Sequence, residues 1–414
     1  MILDCTKYVG QCECGREHTL ETQKVVVEYN AIANFEQYMA DVGLAGKKRT
    51  VVYDSNIYEL TKGKHVKADQ EIVLPGKGLR SEDIAIEAMM KDLDNPEVIV
   101  AYGAGTIMDF GRYPAYKLGI PFVAVPTLAS SDGFTANICS VILEGQKKSI
   151  PMVAPVLVVA DLDIIKGAPK RLVVSGVNDI LSKYISLTDW RIAHLVSGEY
   201  ICPMVEELAM HALKTMRDAA DKMAATGEVD VEAMTMAQME SGLTMQLLNH
   251  SRAASGAEHL MAHLVEMKPP RFEEAEGIHG ECVGVGTFAC CKEYHRLAAM
   301  TPEAVPFEPL TSEWIKEKFG DRLYDGIMKE NENDILATFD PQAIVDHWEE
   351  IQKLIDFIPP VEEMEKLYST IGAKYLPEHI GIDPALGDEM LTISAAIRNR
   401  LTLVRMKRVL KFPE

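Results

Sequence analysis

The chain has 414 residues, 47% hydrophobic and 25% charged, enough for two or three domains with full cores. Its formal net charge of −20, with no basic stretch to offset it, argues against binding nucleic acid or anionic lipid non-specifically. Most of that charge reads as solvated acidic surface. No apolar run reaches the ~20 residues that span a bilayer, and MILDCTKYVG lacks the basic and apolar regions of a signal peptide. The eight cysteines show no disulfide framework and read as reduced thiols, so a cytoplasmic chain is expected.

The first half alternates strand and helix signals. Strands are expected at Arg49–Tyr53, Glu71–Leu74, Glu97–Ala101, Pro121–Val125 and Val156–Ala160. Helices are expected at Ser81–Asp92, with Ser81 as N-cap, and at Thr106–Leu118. Such alternation implies parallel strands joined by crossover helices. The character changes near Ala168. Met204–Ala224 carries a helical apolar stripe, and Val231–Asn249, Gln342–Ile358 and Ala385–Thr402 repeat it. The fold class is therefore expected to be an α/β Rossmann-like domain (1–165) followed by an all-α domain (166–414).

Gly103-Ala104-Gly105-Thr106 follows the apolar strand and opens a helix. Glycines allow close approach to a phosphate, and a helix N-terminus adds amides and partial positive charge. The pattern is not GxGxxG, so a plain tight turn competes equally. Asp54 ends a strand, where a carboxylate can bind ribose hydroxyls or simply shape the DSN turn. The stretch 126–133, including Thr127, Ser130 and Asp132, also follows a strand end, where ligands bind in open parallel sheets.

Asp179, His259 and His279 each sit on or beside an expected helix. One carboxylate and two imidazoles suit a first-row divalent metal with an open coordination position. Asp179 and Lys183 are four apart, as a surface ion pair would be, and His259 and His263 share that spacing in EHLMAHLVE. Neither histidine lies in an HExxH motif. A dinucleotide beside an open metal site suggests hydride transfer to a polarised carbonyl. Cys12-Glu-Cys14-Gly-Arg-Glu-His18 resembles half of a zinc site, but no second CxxC or paired histidine completes it; a turn between two short strands is the simpler reading.

GAGTIMDFGRYPAYKLGIPFVAVPT, VNDILSKYISLTDW and SGAEHLMAHLVEM resemble the sn-glycerol-1-phosphate dehydrogenase family. That family lies in the iron-type, glycerol dehydrogenase-like alcohol dehydrogenase superfamily, with a dehydroquinate synthase-like two-domain architecture. CECGREH resembles the start of its bacterial branch, and the resemblance runs to about residue 290. It implies reduction of dihydroxyacetone phosphate to sn-glycerol 1-phosphate with NAD(H) or NADP(H) and one divalent metal (zinc, nickel or iron), in a homo-oligomer. By motif it puts the metal on Asp179, His259 and His279. Substrate falls to Asp132 and His263. The cofactor falls to Asp54, Gly103, Gly105, Thr106, Asp109, Thr127 and Ser130. The chain departs from the family pattern at Ala104, Ala136, Asn178 and Ser182, of which Ala104, Asn178 and Ser182 stand where glycine is usual.

A phosphorylated substrate needs cationic partners, for which Lys147, Lys148, Lys183 and Arg252 are candidates. One rival reading is a sugar-phosphate cyclase of the 3-dehydroquinate synthase type, which carries Gly-Gly-Lys where this chain has Gly133-Phe-Thr-Ala. Others are a dehydrogenase of the same superfamily acting on another polyol or a phosphonate aldehyde, and a metal-dependent scaffold without turnover.

Overall fold

In the computed structural model residues 1–143 and 146–413 are described. The chain divides into two compact units that are not contiguous in sequence. The first comprises Met1–Ile180, Pro203–Met223 and Glu228–Ser251; the second comprises Leu181–Cys202, Ala224–Gly227 and Arg252–Glu414. The boundary expected at residue 165 therefore falls within the first unit, which takes in two long helices from the half read as a separate helical domain.

The first unit runs β1 (Ile2–Leu3), β2 (Gly10–Gln11), β3 (Glu17–His18), β4 (Lys24–Glu28), α1 (Phe35–Asp41), β5 (Arg49–Asp54), α2 (Ser55–Leu60), β6 (Gln70–Leu74), α3 (Asp83–Met90), β7 (Val98–Gly103), α4 (Gly105–Leu118), β8 (Phe122–Pro126), β9 (Ile138–Leu143), β10 (Gln146–Pro151), β11 (Leu157–Asp161), α5 (Leu162–Ile165) and α6 (Lys170–Leu181). After the second unit's α7 (Lys183–Ser197), the chain supplies α8 (Pro203–Thr226) and α9 (Val231–Leu248).

Seven strands form one sheet in the order β1-β4-β11-β8-β7-β5-β6, parallel throughout except where β1 joins β4. A sheet covered on both faces selects unbroken apolar strands rather than alternating ones. Val25–Val27, Val98–Tyr102 and Phe122–Val125 meet that demand with no exposed surface. Each fully buried valine contributes about 1.5–3 kcal/mol, so three in a row hold β4 in place despite its shortness. From β5 the chain moves to β6 on one side, and from β7 to β8 on the other. The crevice at this reversal lies beyond the carboxyl ends of β5 and β7, the position where open α/β sheets bind ligands.

Several expectations are corrected. Ser81 is not an N-cap: α3 starts at Asp83, and the Ser81 hydroxyl donates to Asp109 Oδ2 at 2.7 Å. The strand β4 and the β9–β10 hairpin were not anticipated.

The second unit contains α7, α10 (Ala257–Met267), α11 (His279–Ala298), β12 (Glu303–Ala304), α12 (Ser312–Asn331, broken at Gly320), α13 (Gln342–Asp346), α14 (Trp348–Ile355), α15 (Val361–Ile371), α16 (Gly387–Ser394), α17 (Leu403–Met406) and β13 (Leu410–Lys411). The helix expected over 342–358 is two helices, separated at His347. The one expected over 385–402 shrinks to α16. Beyond it, the fully buried Arg405 guanidinium donates to the carbonyls of Ala395 (2.6 Å) and Arg398 (2.8 Å), and Asn331 Nδ2 donates to Ala396 O (2.8 Å). These side chains take up carbonyls that a continued helix would satisfy internally.

Candidate active site

In the first unit the candidate groups cluster at strand ends. Gly103 closes β7 and α4 begins at Gly105, so the amides of its first turn are open at a helix N-terminus. A Cβ at Gly103 would lie 2.8 Å from Ile107 Cβ, whereas at Gly105 it would meet nothing nearer than Ser131 Oγ at 3.8 Å. The first glycine permits helix–strand packing; the second leaves room above the turn.

Asp54 caps α2, its Oδ1 accepting from the amides of Asn56 (2.9 Å) and Ile57 (3.0 Å). Oδ1 shapes the turn, one of the two readings of its sequence position, and Oδ2 has no protein partner among the described residues. The Thr127 amide donates to Gly103 O (3.2 Å), which ties β8's exit to the glycine turn. Thr127 Oγ1 is buried without a hydrogen-bond partner among the described residues, an arrangement that costs free energy unless a ligand supplies the partner. Ser130 follows on the same loop, partly exposed.

Asp109 behaves differently from the expected cofactor contact. Its Oδ2 accepts from Ser81 and its Oδ1 from Cys139 Sγ (3.4 Å), with Arg112 3.7 Å away. Burial pushes its pKa up against the opposing effect of Arg112. Both oxygens are engaged inside the unit, so Asp109 holds α4 rather than facing the crevice.

Asp132 and Asp179 are brought together. The Asp132 amide donates to Asp179 Oδ2 (2.9 Å), and the Ser241 hydroxyl of α9 donates to Asp132 Oδ2 (2.8 Å). The carrier of Asp179, α6, lies against the 128–131 loop at a distance only glycine allows: a Cβ on Gly176 would sit 1.9 Å from Ala129 O. Gln238 of α9 donates to Gly176 O (2.9 Å) and fixes the same turn from behind. Asp179 and Asn178 are both fully buried.

In the second unit α10 presents His259 and His263, and α11 begins at His279. The two helices touch at Gly286, where a Cβ would meet Glu258 O at 2.3 Å. Their imidazoles converge: ring centroids lie 5.5 Å apart for His259 and His279, and 6.3 Å from His263 to each. His259 Nδ1 lies 2.8 Å from Glu258 Oε1, which also accepts from the Gly256 amide; His279 Nδ1 lies 2.8 Å from Glu266 Oε1. A carboxylate on Nδ1 fixes the ring orientation and leaves Nε2 as the ligating atom, the usual outer arrangement of a metal-binding histidine. Among the described residues His263 has no such clamp. Burial, then the nearby Arg398, holds its pKa well below the ordinary histidine value.

Glu258 and Glu266 were missed in the sequence. Their signal was present, as one precedes His259 directly and the other lies three residues after His263. Of the cationic candidates, Arg252 is committed inside the unit: it donates to Glu199 (2.7 Å), Asp189 O (3.0 Å) and Leu401 O (2.7 Å). Lys183 is fully buried at the start of α7, and Lys147 and Lys148 lie on β10.

Residues 26–169 match the iron-containing alcohol dehydrogenase family. Glycerol-1-phosphate dehydrogenase (NAD(P)+) of Geobacillus stearothermophilus is 30% identical over 415 aligned positions, covering 98% of this chain and 97% of that protein. This chain belongs to the glycerol-1-phosphate dehydrogenase family. The Halalkalibacterium halodurans member is 31% identical with the same coverage, and the Pyrococcus furiosus member is 34% identical over 57% of this chain and 68% of its own. Among solved structures, a probable glycerol dehydrogenase of Sinorhizobium meliloti has a TM-score of 0.61 at 17% identity, covering 93% of this chain and 94% of its own. An archaeal alcohol dehydrogenase from a Red Sea brine pool has a TM-score of 0.62 at 12% identity, covering 95% and 94%. At those identities the likeness concerns the fold alone. No helix among the described residues is long and apolar enough to cross a membrane.

Proposed function

We propose that the chain reduces dihydroxyacetone phosphate to sn-glycerol 1-phosphate with NADH or NADPH at a divalent metal. The observation that carries this reading is the pair of carboxylate-clamped imidazoles, His259 and His279, in a member of the glycerol-1-phosphate dehydrogenase family. By the family's motif Asp179 would be the third ligand, and one carboxylate with two imidazoles suits a divalent metal.

When bound, a divalent metal polarises a ketone oxygen as a Lewis acid, and a reduced nicotinamide supplies the hydride. The residues of the chain bind and orient. The open amides of Gly105 and Thr106 receive the pyrophosphate, and Gly103 lets the helix carrying them pack closely. The uncommitted oxygen of Asp54 accepts from ribose hydroxyls, which disfavours but does not forbid a 2′-phosphate. Thr127 and Ser130 hold the nicotinamide end, where the buried Thr127 hydroxyl gains its missing partner. Asp132, steadied by Ser241, and His263 contact the substrate's oxygens. The reading includes a cytoplasmic homo-oligomer acting on a small phosphorylated ketone.

The test compares NADH oxidation by the metal-loaded protein with dihydroxyacetone phosphate, dihydroxyacetone and glyceraldehyde 3-phosphate, followed by chiral analysis of the product. A dianionic phosphate gives remote binding energy that aligns the carbonyl, so its removal should lower turnover as well as affinity. An sn-3 product, or equal rates with the unphosphorylated ketone, overturns the reading in favour of a general polyol dehydrogenase.

A further inference from the structure

The N-terminal hairpin has no part in the chemistry above, yet it concentrates sulfur and imidazole. Strands β2 and β3 pair as Gly10 with His18 and Gln11 with Glu17. The turn between them is closed by Cys12 N donating to Arg16 O (3.0 Å) and Gly15 N to Cys12 O (2.9 Å). This compact turn carries Cys12 and Cys14 and faces Cys14 Sγ to His18 Nε2 at 3.3 Å. The other ring nitrogen, Nδ1, lies 3.0 Å from Leu247 O in the last turn of α9. A carbonyl can only accept, so Nδ1 carries the proton and Nε2 presents its lone pair toward the thiol sulfur. That is how backbone carbonyls orient metal-ligating histidines. His18 is buried, although the strands on either side of the turn are only two residues long and supply little apolar cover.

We propose that Cys12, Cys14 and His18 hold a structural zinc ion. Two thiolates and one imidazole from a single hairpin are a sulfur-rich donor set that selects zinc, apart from the groups assigned to substrate, so the ion staples rather than catalyses. No disulfide engages these cysteines. Zinc displaces the thiol protons on binding, and the ligated His18 ties the hairpin to the end of α9, whose last carbonyls have no helical partner.

The experiment counts metal per chain in the full-length protein purified from zinc-supplemented cells. Two ions per chain are expected. Cys14→Ser should retain one and His259→Ala should retain the other. Growth in cobalt should produce thiolate-to-cobalt charge-transfer absorption in the wild type and in His259→Ala, since the proposed catalytic donor set contains no sulfur. That spectrum decides the matter even where Cys14→Ser does not fold. The proposal is overturned by wild-type protein without such bands, or by a Cys12–Cys14 disulfide in the intact mass. An unchanged cobalt spectrum in Cys12→Ser removes the site as stated.

Discussion

The two units build their binding groups by different means. The first relies on backbone: helix-end amides, glycines at contact distance and short side chains at strand ends. The second relies on long side chains held by neighbouring side chains, as Glu258 and Glu266 hold His259 and His279. Backbone groups are fixed by the fold itself, so no single side chain there carries the whole effect. An imidazole held by one carboxylate has no such redundancy. Substitutions in the second unit should therefore be the more damaging.

The sharpest test of that contrast is His259→Ala or His279→Ala. Each should abolish retention of the proposed catalytic metal, though not of the hairpin zinc, and lower kcat/KM by on the order of 1,000-fold or more, because two remaining ligands close a site poorly. Far-UV circular dichroism should stay native. Full metal occupancy in both variants would remove the ligand assignment.

Glu266→Gln comes next. It keeps the shape around His279 but replaces a charged acceptor, and metal affinity should fall by about 10–100-fold while the histidine stays in place. Chelator competition measures it. An unchanged affinity would mean that the second unit is as tolerant as the first.

Asp54→Ala probes the other side of the comparison. NADH affinity should weaken by about 10-fold with unchanged metal content, and the lost cap on α2 should cost about 1 kcal/mol of stability. Calorimetry and thermal unfolding separate the two effects. Loss of metal in this variant would contradict the division of labour.

The smallest effect concerns pH. Asp189 of α7 is fully buried and accepts from Tyr294 Oη (2.7 Å) and the amides of Leu403 (2.8 Å) and Ala257 (2.9 Å). Burial raises its pKa from 3.8 to about 6, against the lowering effect of Arg252. A carboxyl raised on folding contributes stability that is complete below its unfolded pKa and is lost as pH rises through the folded one. Wild-type protein should thus lose part of its stability between about pH 4 and pH 6. In Asp189→Asn that part of the slope should disappear, although the variant is less stable overall because its amide faces the Ala257 N–H. Parallel pH profiles for the two proteins would contradict this account.

What could be read in the sequence was what is local. Asp54 and the Gly103–Thr106 turn declare themselves because strand, turn and helix are adjacent in the chain. The histidines of α10 were visible through their four-residue spacing. Features set by distant residues stayed hidden. Ser81 has the composition of an N-cap, yet Asp109 takes its hydroxyl from 28 residues away. The 385–402 segment has helical periodicity, yet Arg405 and Asn331 compete for its carbonyls. The family resemblance gave Asp109 to the cofactor, but Arg112, Ser81 and Cys139 engage its oxygens within the unit. The membership of α8 and α9 in the first unit is likewise invisible to periodicity, which reports that a helix has an apolar face but not what covers it.

That last feature bears on how the protein can be made. The first unit is not complete until residue 251 has left the ribosome, because α9 packs on β4 and on the turn that holds Asp132. During synthesis the sheet must wait, partly uncovered, while α7 and α8 emerge. A fragment cut at residue 165 leaves the α9-facing side of β4 bare and exposes apolar surface that invites aggregation. Extending it through residue 251 restores that cover, so the shortest soluble piece carrying the nucleotide crevice is set by the last helix to arrive rather than by the last strand.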